Sequence, residues 1–370
     1  MIAKALLKTV FPMVASVVWT LSMGHASSAF AHDGLTTENA SAYGATAVYI
    51  QLPCTSGLPA PCKNGSTHEL SFSRNGQHLW VTQMTSSKIF HFDVVDNEVV
   101  TASIKSFVMP NQRQPHGIIS EGDHAWATLE VPASNNALIK IDSNGNILQE
   151  IPLSSGTAPH GLDIARDGTL WFAGKGDPDT GVGAAVGSAN PITGVSRYFP
   201  LQTGSKPIYV HVTKNNDVWF TELVGSRIGR IREGRITEIN LPTANSRPIT
   251  IDSAPNGSVY FTLEAANSLG YLPSKVALGP SSGLKTSVVQ QRFVPTLGVK
   301  PAGGTITPTG QVWFGASALD EMITLDKPRT LIQIPQGTTG STYHRSAYMG
   351  HKMFWTELST DRIGYLNGVR

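Results

Sequence analysis

Val218-Trp219-Phe220-Thr221-Glu222, then Ser226-Arg227-Ile228-Gly229-Arg230-Ile231, then Ile236-Thr237-Glu238-Ile239-Asn240-Leu241-Pro242 is the stretch that decides the fold. Short runs of Val, Ile, Thr and aromatic residues, broken by Gly, Ser and charged residues, are strand-and-turn chemistry. The first of these runs has six counterparts: Leu79-Trp80-Val81-Thr82, Ala125-Trp126-Ala127-Thr128, Leu170-Trp171-Phe172-Ala173, Val259-Tyr260-Phe261-Thr262, Val312-Trp313-Phe314-Gly315 and Met353-Phe354-Trp355-Thr356. From Trp80 to Phe354 the aromatic positions lie 46, 45, 48, 41, 53 and 41 residues apart. A unit of that length holds four short strands, and its recurrence predicts an all-β chain, a seven-bladed β-propeller with four-stranded blades.

Each unit divides alike. An inner strand such as His160-Gly161-Leu162-Asp163-Ile164 passes through the turn Arg166-Asp167-Gly168-Thr169 into the aromatic strand. A third strand of the Ile-Gly-Arg-Ile type follows, as again in Asp361-Arg362-Ile363-Gly364-Tyr365-Leu366, and the fourth ends in Pro, which suits an outer edge. The last unit stops after its third strand, whereas Ala45-Thr46-Ala47-Val48-Tyr49-Ile50-Gln51-Leu52-Pro53 is an isolated fourth one. Pairing of the N- and C-terminal strands in one blade would close the ring and remove an exposed edge. The recurring Trp and Phe residues read as packing between blades rather than a ligand-stacking surface, because every unit carries them. Two insertions, 174–190 and 277–296, read as loops that could lie over a binding face.

Composition agrees with this organisation. Charged residues are 15% of the chain, against 36 Gly and 23 Pro, which favours strands and turns over solvent-facing helices. Lys4 and Lys8 precede an apolar run from Phe11 to Met23, and Ala29-Phe30-Ala31 supplies small residues before His32. We expect residues 1–31 to be a signal peptide for export to the periplasm or medium, and 32–370 a single propeller domain with blade strands from about residue 45. The competing reading, a stable membrane anchor, asks for about 20 uninterrupted apolar residues, and this run is shorter. Loss of the two lysines takes the net charge from +2 to zero, so no basic footprint for nucleic acid is expected. In an exported chain the two cysteines, Cys54 and Cys62, are expected to form a local disulfide.

Function is sought where the repeat is broken at positions facing the axis. The inner strands of three successive units begin with His68, His116 and His160, where the next two have Ile208 and Ile249, so the histidines should converge at one side of the channel mouth. A single histidine is more often structural, and three in adjacent blades favour a site. Glu222 and Glu357 end the aromatic strand in the usual place and read as blade-repeat residues bonding loop amides. Glu130 differs: Trp126 comes ten residues after His116 instead of the eleven from His160 to Trp171, and the acid then falls one residue later than usual.

These segments resemble the streptogramin lyase (virginiamycin B lyase) family. Repeated Pro-(His/Tyr)-Gly-Ile, Trp-Phe-Thr-Glu and Ile-Gly-Arg-Ile elements carry the likeness from about Thr46 onward. Gln114-Pro115-His116-Gly117-Ile118 and Trp126 to Glu130 match the family's catalytic unit at identical spacing, in the second blade rather than near the C-terminus, an order a closed ring accommodates. The resemblance implies an enzyme that opens a cyclic depsipeptide ester by metal-assisted β-elimination, with magnesium (Mg2+) as cofactor. It gives His116 the catalytic proton role, Glu130 and Gln114 metal contacts, and His68 a metal or substrate contact; His160 is assigned to substrate. Gln114 stands where the family has a glutamate, which removes one negative charge from the ion's surroundings.

The implied partner is a small-molecule or cyclic peptide substrate, acted on by a monomer. The alternative is a non-catalytic exported propeller that binds a peptide, sugar or protein through the same face. A hydrolase of the lactonase kind would need several axial carboxylates and amides around calcium, a pattern this chain does not spell clearly.

Overall fold

The computed structural model describes residues 36–38, 47–53, 66–177, 179–294, 298–327, 330–335 and 342–369. Seven antiparallel sheets follow one another along the chain, each with its inner strand first: 67–72, 114–121, 159–164, 207–212, 248–253, 301–306 and 343–349. Each inner strand packs against the next, and the seventh against the first, so the sheets are blades of a closed ring. The expected seven-bladed propeller is the fold. Its ends meet as the sequence implies, with Val48–Gln51 antiparallel to Arg362–Asn367 and Ile50 opposite Ile363. One further strand, Thr36–Glu38, runs parallel to Thr330–Pro335 at the outer edge of blade 6. The expected signal peptide 1–31 and the Cys54–Cys62 disulfide lie outside the described residues.

The repeat motifs have separate physical causes. In Ile-Gly-Arg-Ile, Gly229 stands opposite Phe220, and a Cβ there would lie 2.0 Å from the Phe220 ring. Gly187 against Phe172 and Gly270 against Phe261 repeat this, and Gly364 makes the same room for Trp355. The glycine thus lets an aromatic ring lie flat over the third strand, and the rings fill the space between blades. Trp80, Trp126, Trp219, Trp313 and Trp355 are all buried there, as their reading as packing residues requires.

The glycine of Pro-His-Gly serves close approach of another kind. A Cβ on Gly117 would stand 2.3 Å from the carbonyl oxygen of His160, and one on Gly303 would stand 1.8 Å from that of His344. Inner strands therefore meet backbone to backbone at this level of the channel. The threonine that ends the aromatic run ties them together. Thr82 Oγ1 accepts from Glu69 N–H and donates to His116 O at 2.6 Å; Thr128 Oγ1 accepts from Gly117 N–H and donates to His160 O at 2.9 Å. Thr356 does the same for Arg345 N–H and His68 O. Each of these histidines is thus held at its carbonyl by the preceding blade.

The two insertions diverge. Residues 175–177 and 182–185 border a cavity that includes Glu130, whose carboxylate neighbours His116 and His160. The described part of the other insertion, residues 277–294, packs Ala277, Leu284 and Val289 into the core of blade 5 and takes the Arg230 guanidinium on Ala277 O and Gly279 O. It buttresses the outside of blades 4 and 5 and does not cover the histidines.

Candidate active site at the channel mouth

His68, His116 and His160 come together as their shared position predicts, and a fourth, His344 of blade 7, joins them. The imidazole centroids of His116 and His160 are 3.5 Å apart, those of His68 and His116 4.4 Å, and those of His68 and His344 4.6 Å. His344 was not among the sequence candidates because its unit lacks the Pro-x-Gly frame, reading Tyr343-His344-Arg345 instead. Its signal was spacing: Phe354 follows it by ten residues, the interval from His116 to Trp126. Four neighbouring blades thus each place one imidazole at the same level.

His116 is the most enclosed, with 1% of its surface exposed and its Nδ1 buried without a hydrogen-bond partner among the described residues. Nδ1 of His160 is in the same state, whereas Nδ1 of His68 meets the oxygens of Ser66 at 3.0 Å. Burial drives the pKa of His116 well below the ordinary imidazole value, and the neighbouring His160, His68, Lys175 and His344 push it the same way. His160 and His344 are lowered in like manner, and His68 falls to about 4. At neutral pH the cluster is uncharged, so His116 is able to accept a proton and, once protonated, releases it readily.

This cluster sets a pH dependence of stability. Unfolded His68 takes up its proton near pH 6.5 and the folded residue only near 4, so between those values the unfolded chain binds more protons. The stabilisation is complete above pH 6.5 and is lost as pH falls towards 4. Comparing urea unfolding at pH 7 and pH 5 should show His68→Asn losing about 1–2 kcal/mol less than the wild type. Equal losses in the two proteins would refute the assignment.

Directly below the imidazoles, Arg345 spans the channel. Its Nε lies 3.1 Å from Glu69 Oε2, its Nη1 donates to Gly304 O, and its guanidinium sits 4.2 Å from the centroid of the Tyr209 ring across the axis. Burial pushes Glu69 up to about 7, opposed by the Arg345 charge. At the next level, Asp163 accepts from Val212 N–H and Asp252 from Ile306 N–H, each clasping the following blade, with His211 between the two carboxylates. These layers are the floor that keeps the histidines at the mouth.

Glu130 reaches the site from the second strand of blade 2. It is 8% exposed, and its carboxylate falls within ligand distance of His116 and His160, all three ligand atoms lying within 4.8 Å of one another. Its Oε1 accepts from the ammonium of Lys175, and its Oε2 is buried without a hydrogen-bond partner among the described residues. Burial raises its pKa, and the Lys175 charge and hydrogen bond oppose that. Gln114 sits on the inner strand two residues before His116, opposite Val131. A cavity of about 750 Å³ opens beside Glu130 and Lys175, walled by Ala133, Ser155, Val182 and Tyr198; none of the histidines lines it. Lys175 gave no signal in the sequence, since nothing in the repeat pairs it with a residue 45 positions earlier. Glu222 and Glu357 have structural roles as read, with a different partner: they hold the guanidinium groups of Arg227 and Arg362 on their own third strands, not loop amides.

Magnesium selects carboxylates and other oxygen donors. Here Glu130 is the only acid of the implied set, and its Oε1 is already engaged by an ammonium. Gln114 brings no charge, and the remaining donors are imidazole nitrogens, which suit softer metals. As arranged, these residues do not fit Mg2+.

Comparison with known proteins agrees with the blade architecture. The model of the Virginiamycin B lyase family matches residues 183–369. That span covers the later blades, so His68, His116, Glu130 and His160 precede it. A virginiamycin B lyase of Nocardia farcinica is 28% identical over 215 residues, which are 49% of this chain and 72% of that protein. Among solved structures, a catalytically inactive virginiamycin B lyase from Staphylococcus aureus with quinupristin superposes with a TM-score of 0.71 at 22% identity, over 87% of this chain and 99% of the other. A streptogramin B lyase does so with a TM-score of 0.72 at 21% identity, over 88% and 99%. With half of its length matched by the family model, and with the same propeller, this chain belongs to the virginiamycin B lyase family.

Proposed function

We propose that the protein is a carbon–oxygen lyase that opens a cyclic depsipeptide ester by β-elimination at the mouth of the propeller. The observation that carries this is the uncharged, buried His116 beside Glu130, at the spacing of the family's catalytic unit. In the reaction the Cα–H bond breaks and its proton passes to the His116 imidazole. The electron pair forms the Cα–Cβ double bond, and the Cβ–O bond breaks, releasing the ester's acyl oxygen as a carboxylate. His116 suits this role because burial keeps the imidazole neutral, with a nitrogen lone pair free to take the proton; the same burial weakens it as a base and favours release of the proton after the step. Hydrogen bonds from Thr82 and Thr128 to the carbonyls of His116 and His160 keep the two rings in register, so little reorganisation is needed when a proton moves. His68 and His160 flank His116 and would line the approach of a cyclic peptide, of the kind that quinupristin represents for the staphylococcal enzyme.

Incubation of the purified protein with a streptogramin B, followed by mass spectrometry, tests the reading. The expected product is linear, has the mass of the substrate and carries a new double bond. A product heavier by one water would replace elimination with hydrolysis. An intact but tightly held ligand would leave the non-catalytic binding propeller as the function.

A further inference from the structure

Two features of the mouth act in the same direction. Gln114 withholds a negative charge at the place where the family's catalytic unit has a glutamate, and Lys175 adds a positive charge beside the carboxylate that remains. The lysine is well anchored. Its backbone N–H donates to Ala158 O at 3.1 Å, just past the second strand of blade 3, and its side chain is 17% exposed against 9% for Glu130. An ammonium carries three N–H donors, and the hydrogen bond described for this one is to Glu130 Oε1. Lys175 and Glu130 both line the 750 Å³ cavity, and the Glu130 carboxylate also lies within ligand distance of His116 and His160. The ammonium also acts on the cluster itself, since its charge contributes to the lowered basicity of His68, His116 and His160.

A divalent ion at Glu130 would meet this ammonium as a like charge in a poorly hydrated site, and would have to displace it to gain the carboxylate. We propose that Lys175 takes the place of the metal ion: its ammonium neutralises Glu130 and offers its further N–H groups to the carbonyl oxygen of the ester that opens, so that the site works without a divalent cation. A fixed cationic donor serves a developing carboxylate as a metal would, by stabilising negative charge where it grows. The inference rests on the lyase reading for the identity of that carbonyl, and on the ion pair alone for the exclusion of metal.

The decisive experiment titrates the full chain with Mn2+, followed by electron paramagnetic resonance, and with Mg2+, followed by calorimetry. The wild type is expected to take up neither ion stoichiometrically, and the double variant Gln114→Glu/Lys175→Met to take up one. Gln114→Glu/Lys175→Gln provides a second variant of the same charge should the first fail to fold. Turnover of a streptogramin B by the wild type should be insensitive to a chelator, and Lys175→Met should lower it about a hundredfold, the scale for loss of one charge-stabilising donor, with Lys175→Arg retaining more. One Mn2+ bound stoichiometrically by the wild type would overturn the inference. So would folded double variants that still take up no ion, because Lys175 would then not be what excludes it. Absence of an isomeric product from every protein overturns the lyase reading alone, since the metal titrations still show whether Lys175 holds the ion's place.

Discussion

His116→Ala is expected to lower the rate of isomeric ring opening by at least about a hundredfold, the lower end of what a positioned general base contributes. The residue combines three features that the other histidines share only in part: burial to 1% exposure, an Nδ1 without a hydrogen-bond partner among the described residues, and imidazoles on both sides at 3.5 and 4.4 Å. The backbone there is held by Thr82 and Thr128, so truncating the ring should leave the strand in place. Single-turnover kinetics under saturating substrate, with circular dichroism to confirm an unchanged fold, provide the check. His160→Ala removes a flanking ring and is expected to weaken binding more than the chemical step. If both variants lose rate equally and neither changes substrate affinity, the proton is not carried by His116 in particular.

The largest expected effect on stability is at the closing blade. Trp355→Ala should destabilise the propeller by about 3–5 kcal/mol, as loss of a fully buried indole does in other cores. Trp355 is 0% exposed, stacks on Tyr343 at 5.0 Å and meets Tyr49 edge-on at 6.2 Å. Tyr49 belongs to the strand contributed by the N-terminal side of the chain, so this one side chain joins the two ends of the ring. Guanidinium unfolding should show the midpoint falling, and limited proteolysis should reach residues near 48–51 sooner than in the wild type. Trp219→Ala, in a blade built from continuous sequence, should cost a similar free energy without exposing that strand. A shift below about 1 kcal/mol for Trp355→Ala would mean that the closing blade is not under the same packing constraint as the others.

The number of blades, their strand order and the closure of the ring were legible in the sequence, because each rests on local, repeated chemistry. An aromatic strand needs a small residue across from it, an inner strand that touches its neighbour needs glycine, and a turn needs residues tolerant of positive φ; these demands recur in every unit and leave a periodic trace. Three of the four histidines were readable for the same reason, since each occupies one position of that period. His344 was hidden only by the altered frame around it, and the spacing to Phe354 preserves its place.

The electrostatic character of the mouth was decided by the tertiary structure. Lys175 and Glu130 belong to different blades and to no common motif; the acid falls one residue later than usual on the second strand of blade 2, and the lysine directly follows the second strand of blade 3. Arg345, which joins blade 7 to Glu69 and Tyr209 across the axis, is likewise a product of ring closure. Sequence by itself determines the elements and the residues each turns towards the axis, because those follow from period and turn chemistry. Which charges then stand within a hydrogen bond of one another depends on distances between blades, which only the closed ring sets.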